Sequence, residues 1–192
     1  MRNLAATITS LSIMILLGGF MARDVLSTLP PLGYQTAILT VILSALSTLL
    51  TPLSSAVGNP SYIPPATTTH ILGLWPIVAW IIGGVVAGLL SQKAKESVIP
   101  SLLTATMTYL MVVGLAAYTL PRIPNAINWE HYLTWLAHQI ILDGPMNFVI
   151  LFALPLVSAL LTSSIIESTA PKPVIRPVVS RRRRYWDWPE DE

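Results

Sequence analysis

The 192-residue chain contains no cysteine, and only 10% of its residues are charged. The first absence excludes disulfides, thiolate metal sites, cysteine nucleophiles, iron–sulfur clusters and covalent haem attachment together. The second excludes an ordinary soluble domain, where about a quarter of residues carry charge. With 53% of residues hydrophobic, the apolar side chains must face lipid rather than a water-covered core. A further absence bears on function: no Asp, Glu, Lys, Arg or His lies in the middle of any long apolar run. Proton relays, ion-coupled pumps and voltage sensors place such groups there, so these classes are disfavoured. The three histidines, His70, His131 and His138, lie between the runs, which leaves haem ligation inside a bundle without ligands. There is no Gly-x-Ser-x-Gly elbow, P-loop or dinucleotide fingerprint, and no enzyme activity, cofactor or metal site is expected.

Apolar runs near 4–22, 34–57, 71–90, 98–120 and 145–166 are each long enough to cross a hydrocarbon core of about 30 Å, which takes roughly 20 helical residues. The breaks combine prolines, glycines and charges: Arg23-Asp24 with Pro30-Pro31, Gly58-Asn59-Pro60 with Pro64-Pro65, the stretch from Ser91 to Glu96, and Pro121 to Asn128. The first run reads as a span rather than a signal peptide, because it is long for an h-region and no Ala-x-Ala pattern precedes Arg23. The fold expected is an all-α integral membrane bundle of five transmembrane helices over 1–166, with a disordered Pro/Arg-rich cytoplasmic tail over 167–192. Between the last two spans, Trp129, Tyr132, Leu133, Leu136 and Ile140 recur at helical spacing in 129–142. That segment is too short and polar to span and reads as an amphipathic interfacial helix.

Basic residues stay with cytoplasmic loops. Five spans with the N-terminus outside put Arg23, Lys93, Lys95, Lys172, Arg176 and Arg181 to Arg184 inside, leaving Arg2 and Arg122 outside. The expected location is the cell membrane, multi-pass, N-out and C-in.

Three patterns could carry function. In the second span Thr36, Thr40, Ser44, Ser47, Thr48, Thr51, Ser54 and Ser55 fall within one sector of about 120°. Ser97, Ser101, Thr104 and Thr108 form a narrower stripe on the fourth. Such hydroxyls either pack helices closely or line a solute path, and packing is the favoured reading. In the third span Gly83, Gly84, Ala87 and Gly88 make a small-residue face with one GxxxG. It suits helix packing within the chain, with a homo-oligomer seam as the alternative. Leucine is expected to be tolerated at Gly18 far better than at Gly84 or Gly88.

The third pattern is the tail, where Arg181, Arg182, Arg183 and Arg184 precede Trp186 and Trp188. Four arginines attract anionic headgroups, and exposed tryptophans suit a protein interface. The acids Asp187, Glu190, Asp191 and Glu192 count against nucleic acid as a partner. The expected function is a non-enzymatic subunit or scaffold of a membrane complex, its partners being the lipid bilayer and a membrane or cytosolic protein held by the tail. The alternative is a membrane-embedded binding subunit of a small-solute transporter, lined by the hydroxyl stripes.

Overall fold

The computed structural model describes residues 2–29, 31–91, 93–142 and 144–170. It is mostly helical: α1 (Arg2–Met21), α2 (Arg23–Leu26), α3 (Tyr34–Ser47), α4 (Pro52–Ala56), α5 (Trp75–Ser91), α6 (Ala94–Thr119), α7 (Trp129–Ala137) and α8 (Pro145–Thr169). A two-residue hairpin pairs β1 (Ser61–Tyr62) with β2 (Thr69–His70) antiparallel. Among the described residues three helices are long and apolar enough to cross a membrane: α1, α8, and α6 with the 3-10 turn Leu120–Arg122 that continues it. Helix α5 is apolar but has 17 residues, about 25 Å at the helical rise. It begins at Trp75 because Gly73 takes φ 60° just upstream. Pro76 therefore sits in the first helical turn, where no backbone donor is needed, and not as a kink inside a longer span.

Contacts fix the relative directions of the long helices. Ser10 Oγ donates to Gly83 O at 2.8 Å, and a cleft at the end of α1 joins Met21 to Trp75, so α1 and α5 are antiparallel. Gly84 lies against Pro155, and Gly88 against Ala159, so α5 and α8 run in the same direction. Ser163 Oγ donates to Ser97 Oγ at 3.1 Å, and the Glu167 carboxylate accepts from Ala94 N at 3.2 Å. The start of α1, the end of α5, the start of α6 and the end of α8 consequently share one end of the bundle. Five spans would instead put the start of α1 and the end of α8 at opposite ends of the bundle.

The reason lies in 34–57, expected as one helix. Helix α3 stops at Ser47, and α4 starts anew at Pro52, which has no amide hydrogen to continue the ladder. Ala45, near the end of α3, packs on Gly18, near the end of α1. Val25, Thr28, Pro65, Thr68, Ile123 and Asn125 line one cavity. The segment 22–74 thus begins and returns at the same end, which it caps together with α7. The main core runs through Met14, Leu43, Leu46, Trp80, Val112 and Leu151, with Tyr132, Leu136 and Ile140 of the α7 region closing it. The expected interfacial segment 129–142 is helix α7 followed by a π-helical turn, His138–Leu142. Asn128 caps α7, its Oδ1 accepting from Glu130 N at 2.8 Å.

Candidate functional site

The capped end concentrates the polar groups that the core hides. Thr40, Ser44, Ser47, Thr48, Thr51, Ser54 and Ser55 are buried, and Thr36 at the outer turn of α3 is partly so. Their partners satisfy part of the backbone that is freed where the helix breaks. Ser47 Oγ donates to Leu43 O at 2.6 Å and Thr48 Oγ1 to Ala45 O at 2.7 Å. The Trp80 indole Nε1 donates to Leu49 O at 2.7 Å, across from α5. Ser44 Oγ lies against both Thr40 O and the carbonyl of Pro64, tying the loop after β1 to α3. Pro65 O in turn accepts from Ile127 N at 3.2 Å. Each bond removes a polar group that apolar surroundings would otherwise penalise.

The centre of this arrangement is Asn147 in the first turns of α8. Its Oδ1 accepts from Leu53 N at 2.9 Å and Ser54 N at 3.0 Å, the free amides at the start of α4. Its Nδ2 donates to Ser54 Oγ at 2.6 Å and to Gln139 O at 2.9 Å. Thr51 at the N-cap position makes no side-chain cap, so an amide far along the chain supplies it. Thr51, Ser55 and Ser61 form a hydroxyl triangle with separations of 2.9, 3.3 and 3.5 Å. Beside these, Tyr132 is fully buried, and its hydroxyl faces Ser47 without a hydrogen bond of normal geometry. Burial pushes its phenol above the usual tyrosine range, with Ser47 opposing that shift.

The other stripe is equally occupied. Ser97, Ser101, Thr104 and Thr108 are buried, the last three donating to the carbonyl four residues back, and Ser97 also receives the bond from Ser163 on α8. The glycine face serves two seams within the chain. A Cβ on Gly83 would meet Met14 Sδ at 2.8 Å; on Gly84, Pro155 O at 2.5 Å; on Gly88, Ala159 O at 2.6 Å. Ala87 is buried between them. In this fold the GxxxG face is covered by α1 and α8 of the same chain. Gly18 also departs from expectation: a Cβ there would run into the Ala45 backbone, its carbonyl carbon at 2.7 Å.

His70, Glu130 and His131, which lie between the long helices, do not form one cluster. His131 is exposed on α7, its ring 6.2 Å from that of Tyr62, which also meets Trp135 at 5.1 Å. His70 on β2 contacts Thr68 at 3.4 Å, and Glu130 is exposed. Among the described residues no group of three His, Asp or Glu is arranged to hold a metal. A cavity of about 400 Å³ opens at the capped end between three loops, rimmed by Thr28, Thr67, Thr68 and Asn125 and not by the stripe hydroxyls. Arg181 to Arg184, Trp186, Trp188 and Asp143 lie outside the described residues. Sequence reasoning missed Asn147, Ser61 and Trp80. A lone amide at the start of the apolar run 145–166 was the signal available for the first. No family model, no curated protein and no solved structure matches the chain.

Proposed function

We propose that this chain is a non-catalytic scaffold subunit of a membrane complex, with four crossings rather than five: α1, α5, α6 and α8. One observation carries the scaffold reading: the hydroxyls and the amide that could have lined a solute path are spent on bonds inside packed seams, as Asn147 and Ser163 illustrate. Four crossings place Arg2, Lys93, Lys95, Lys172, Arg176 and Arg181 to Arg184 on one side and only Arg23 and Arg122 on the other. That split equals the five-span one, so the positive-inside rule supports a cytoplasmic N-terminus, a cytoplasmic tail and an external cap. The tail then presents four arginines and two tryptophans to a cytoplasmic partner.

Because the chain lacks cysteine, single replacements report cleanly. Cysteine at Ser44, Ser101 or Thr104 is expected to stay unreactive toward a water-soluble maleimide in intact membranes. Labelling along either stripe would replace this reading with the solute-binding one, which the interrupted α3–α4 segment would then serve. Changing Arg181 to Arg184 to Gln, or Trp186 and Trp188 to Ala, should each release a co-purifying partner. Release that depends on salt and the arginines alone would make the tail a lipid-binding element instead.

A further inference from the structure

The seam between α1 and α5 is open toward the outside of the bundle at its capped end. Two clefts there share Phe20, Met21 and Trp75 and so form one continuous groove. The upper part, about 180 Å³, adds Arg23, Asp24 and Ile71. The lower part, about 50 Å³, descends between Leu17 on α1 and Val78 and Ile82 on α5, and every residue lining it is apolar. From Trp75 to Ile82 the groove follows α5 for about 10 Å at the helical rise. Its walls are exposed in the bundle: Phe20 and Trp75 are each 62% accessible.

The two parts differ in chemistry along one axis. At the mouth the Arg23 guanidinium stands 5.3 Å from the centre of the Phe20 ring, and its Nε pairs with Asp24 Oδ1 at 3.4 Å. This pairing engages Nε and leaves the terminal guanidinium nitrogens, which form the planar fork that suits phosphate. Trp75 has an amphipathic ring of the kind that settles at headgroup depth. Below it the lining is apolar throughout.

We infer that this groove binds one glycerophospholipid whose headgroup joins a phosphate to an amine, with Arg23 taking the phosphate, Asp24 the ammonium, and the α1–α5 seam the upper part of an acyl chain. The adjacent cation and anion choose between headgroups. A purely anionic lipid would meet the Asp24 carboxylate with no compensating charge, and a headgroup without phosphate would leave Arg23 unanswered. The inference rests on the membrane reading above but not on the scaffold role or the tail.

The test uses the full chain purified in mild detergent, with phosphatidylethanolamine and phosphatidylglycerol as probes and native mass spectrometry as the count of retained lipid. Phosphatidylethanolamine is expected to be retained as one molecule in preference to phosphatidylglycerol. Arg23→Gln should weaken retention about tenfold, the loss of one charge-assisted contact. Asp24→Asn should erase the preference for the amine headgroup while keeping a lipid bound. Val78→Trp, at an exposed position in the lower groove, should displace the lipid with the charges intact. Phosphoethanolamine, which lacks acyl chains, should not compete. Equal retention and equal headgroup preference in the wild type, Arg23→Gln and Asp24→Asn would overturn the site, as would competition by phosphoethanolamine as strong as by the lipid. Release of the chain from native membranes by alkaline carbonate would overturn the membrane reading itself. A chain that stays embedded but retains no lipid contradicts this inference alone.

Discussion

The two ends of the bundle solve the same problem with very different amounts of chain. At one end α5 stops at Ser91 and α6 starts at Ala94, and the turn carries the exposed Lys93 and Lys95, the half-buried Glu96 and, from α8, the exposed Glu167. Lys93 and Glu96 pair there at 3.5 Å. At the other, α2, α3, α4, the hairpin and α7 form a cap whose inner face holds buried hydroxyls, Asn147 and Tyr132. The first end needs little because water satisfies its backbone. The second carries interrupted helices beneath a roof, where each freed amide and carbonyl needs a protein partner. At the capped end, burial of broken backbone accounts for the cluster of Ser and Thr between 44 and 55, whereas the hydroxyls at 101, 104 and 108 bond within the unbroken α6.

If that is right, damage to the capped end should cost far more than damage to the bare one. The largest effect is expected at the close backbone contacts. Gly18→Leu at the α1–α3 crossing and Gly84→Leu at the α5–α8 crossing should both cost about 3 kcal/mol or more, since backbone cannot move aside as side chains can. Gly114, where an added Cβ would meet nothing within 4 Å, serves as the control and should accept Leu with little loss. Thermal unfolding in detergent provides the comparison, and tolerance at Gly18 would separate α3 from α1.

Next comes Asn147→Ala, which strips partners from Leu53 N, Ser54 N and Gln139 O at once and should cost about 2–3 kcal/mol. Glu167→Gln, the nearest equivalent at the bare end, touches one exposed amide and should change stability by less than about 0.5 kcal/mol. Similar losses for the two would remove the contrast between the ends. The smallest effect is expected at Tyr132. Tyr132→Phe deletes a buried hydroxyl that makes no normal hydrogen bond, so stability near neutral pH should hold or rise slightly. Its phenol is held above the usual range in the folded chain. The unfolded chain therefore ionises first as pH rises, and Tyr132 contributes a loss of stability above the ordinary tyrosine range. Unfolding curves of the Phe variant should show a shallower alkaline decline.

Much of the helical framework was legible from hydropathy and punctuation, because α1, α6 and α8 are long apolar runs ended by charges, Pro or Gly. The seam glycines were legible for the same local reason, small side chains at helical spacing. What was not legible is the break at 48–51. Thr48-Leu49-Leu50-Thr51 reads as helix by composition, and only Pro52 marks a new start. The bonds that stabilise the break come from Trp80 and Asn147, distant in sequence. Hydropathy counts one span there, and under the proposed four crossings the parity of every later crossing shifts. Charge counting does not separate four crossings from five, since exchanging Arg2 for Arg23 leaves the division of basic residues unchanged.

That parity is the central claim, and labelling of single cysteines in sealed, oriented vesicles tests it most directly. Asn3→Cys, Lys93→Cys and Thr169→Cys should all react from the same side, while Thr28→Cys, Thr68→Cys and Asn125→Cys should all react from the other. Asn3 and Thr169 reacting from opposite sides would mean that 34–57 crosses the membrane after all, and would contradict the account.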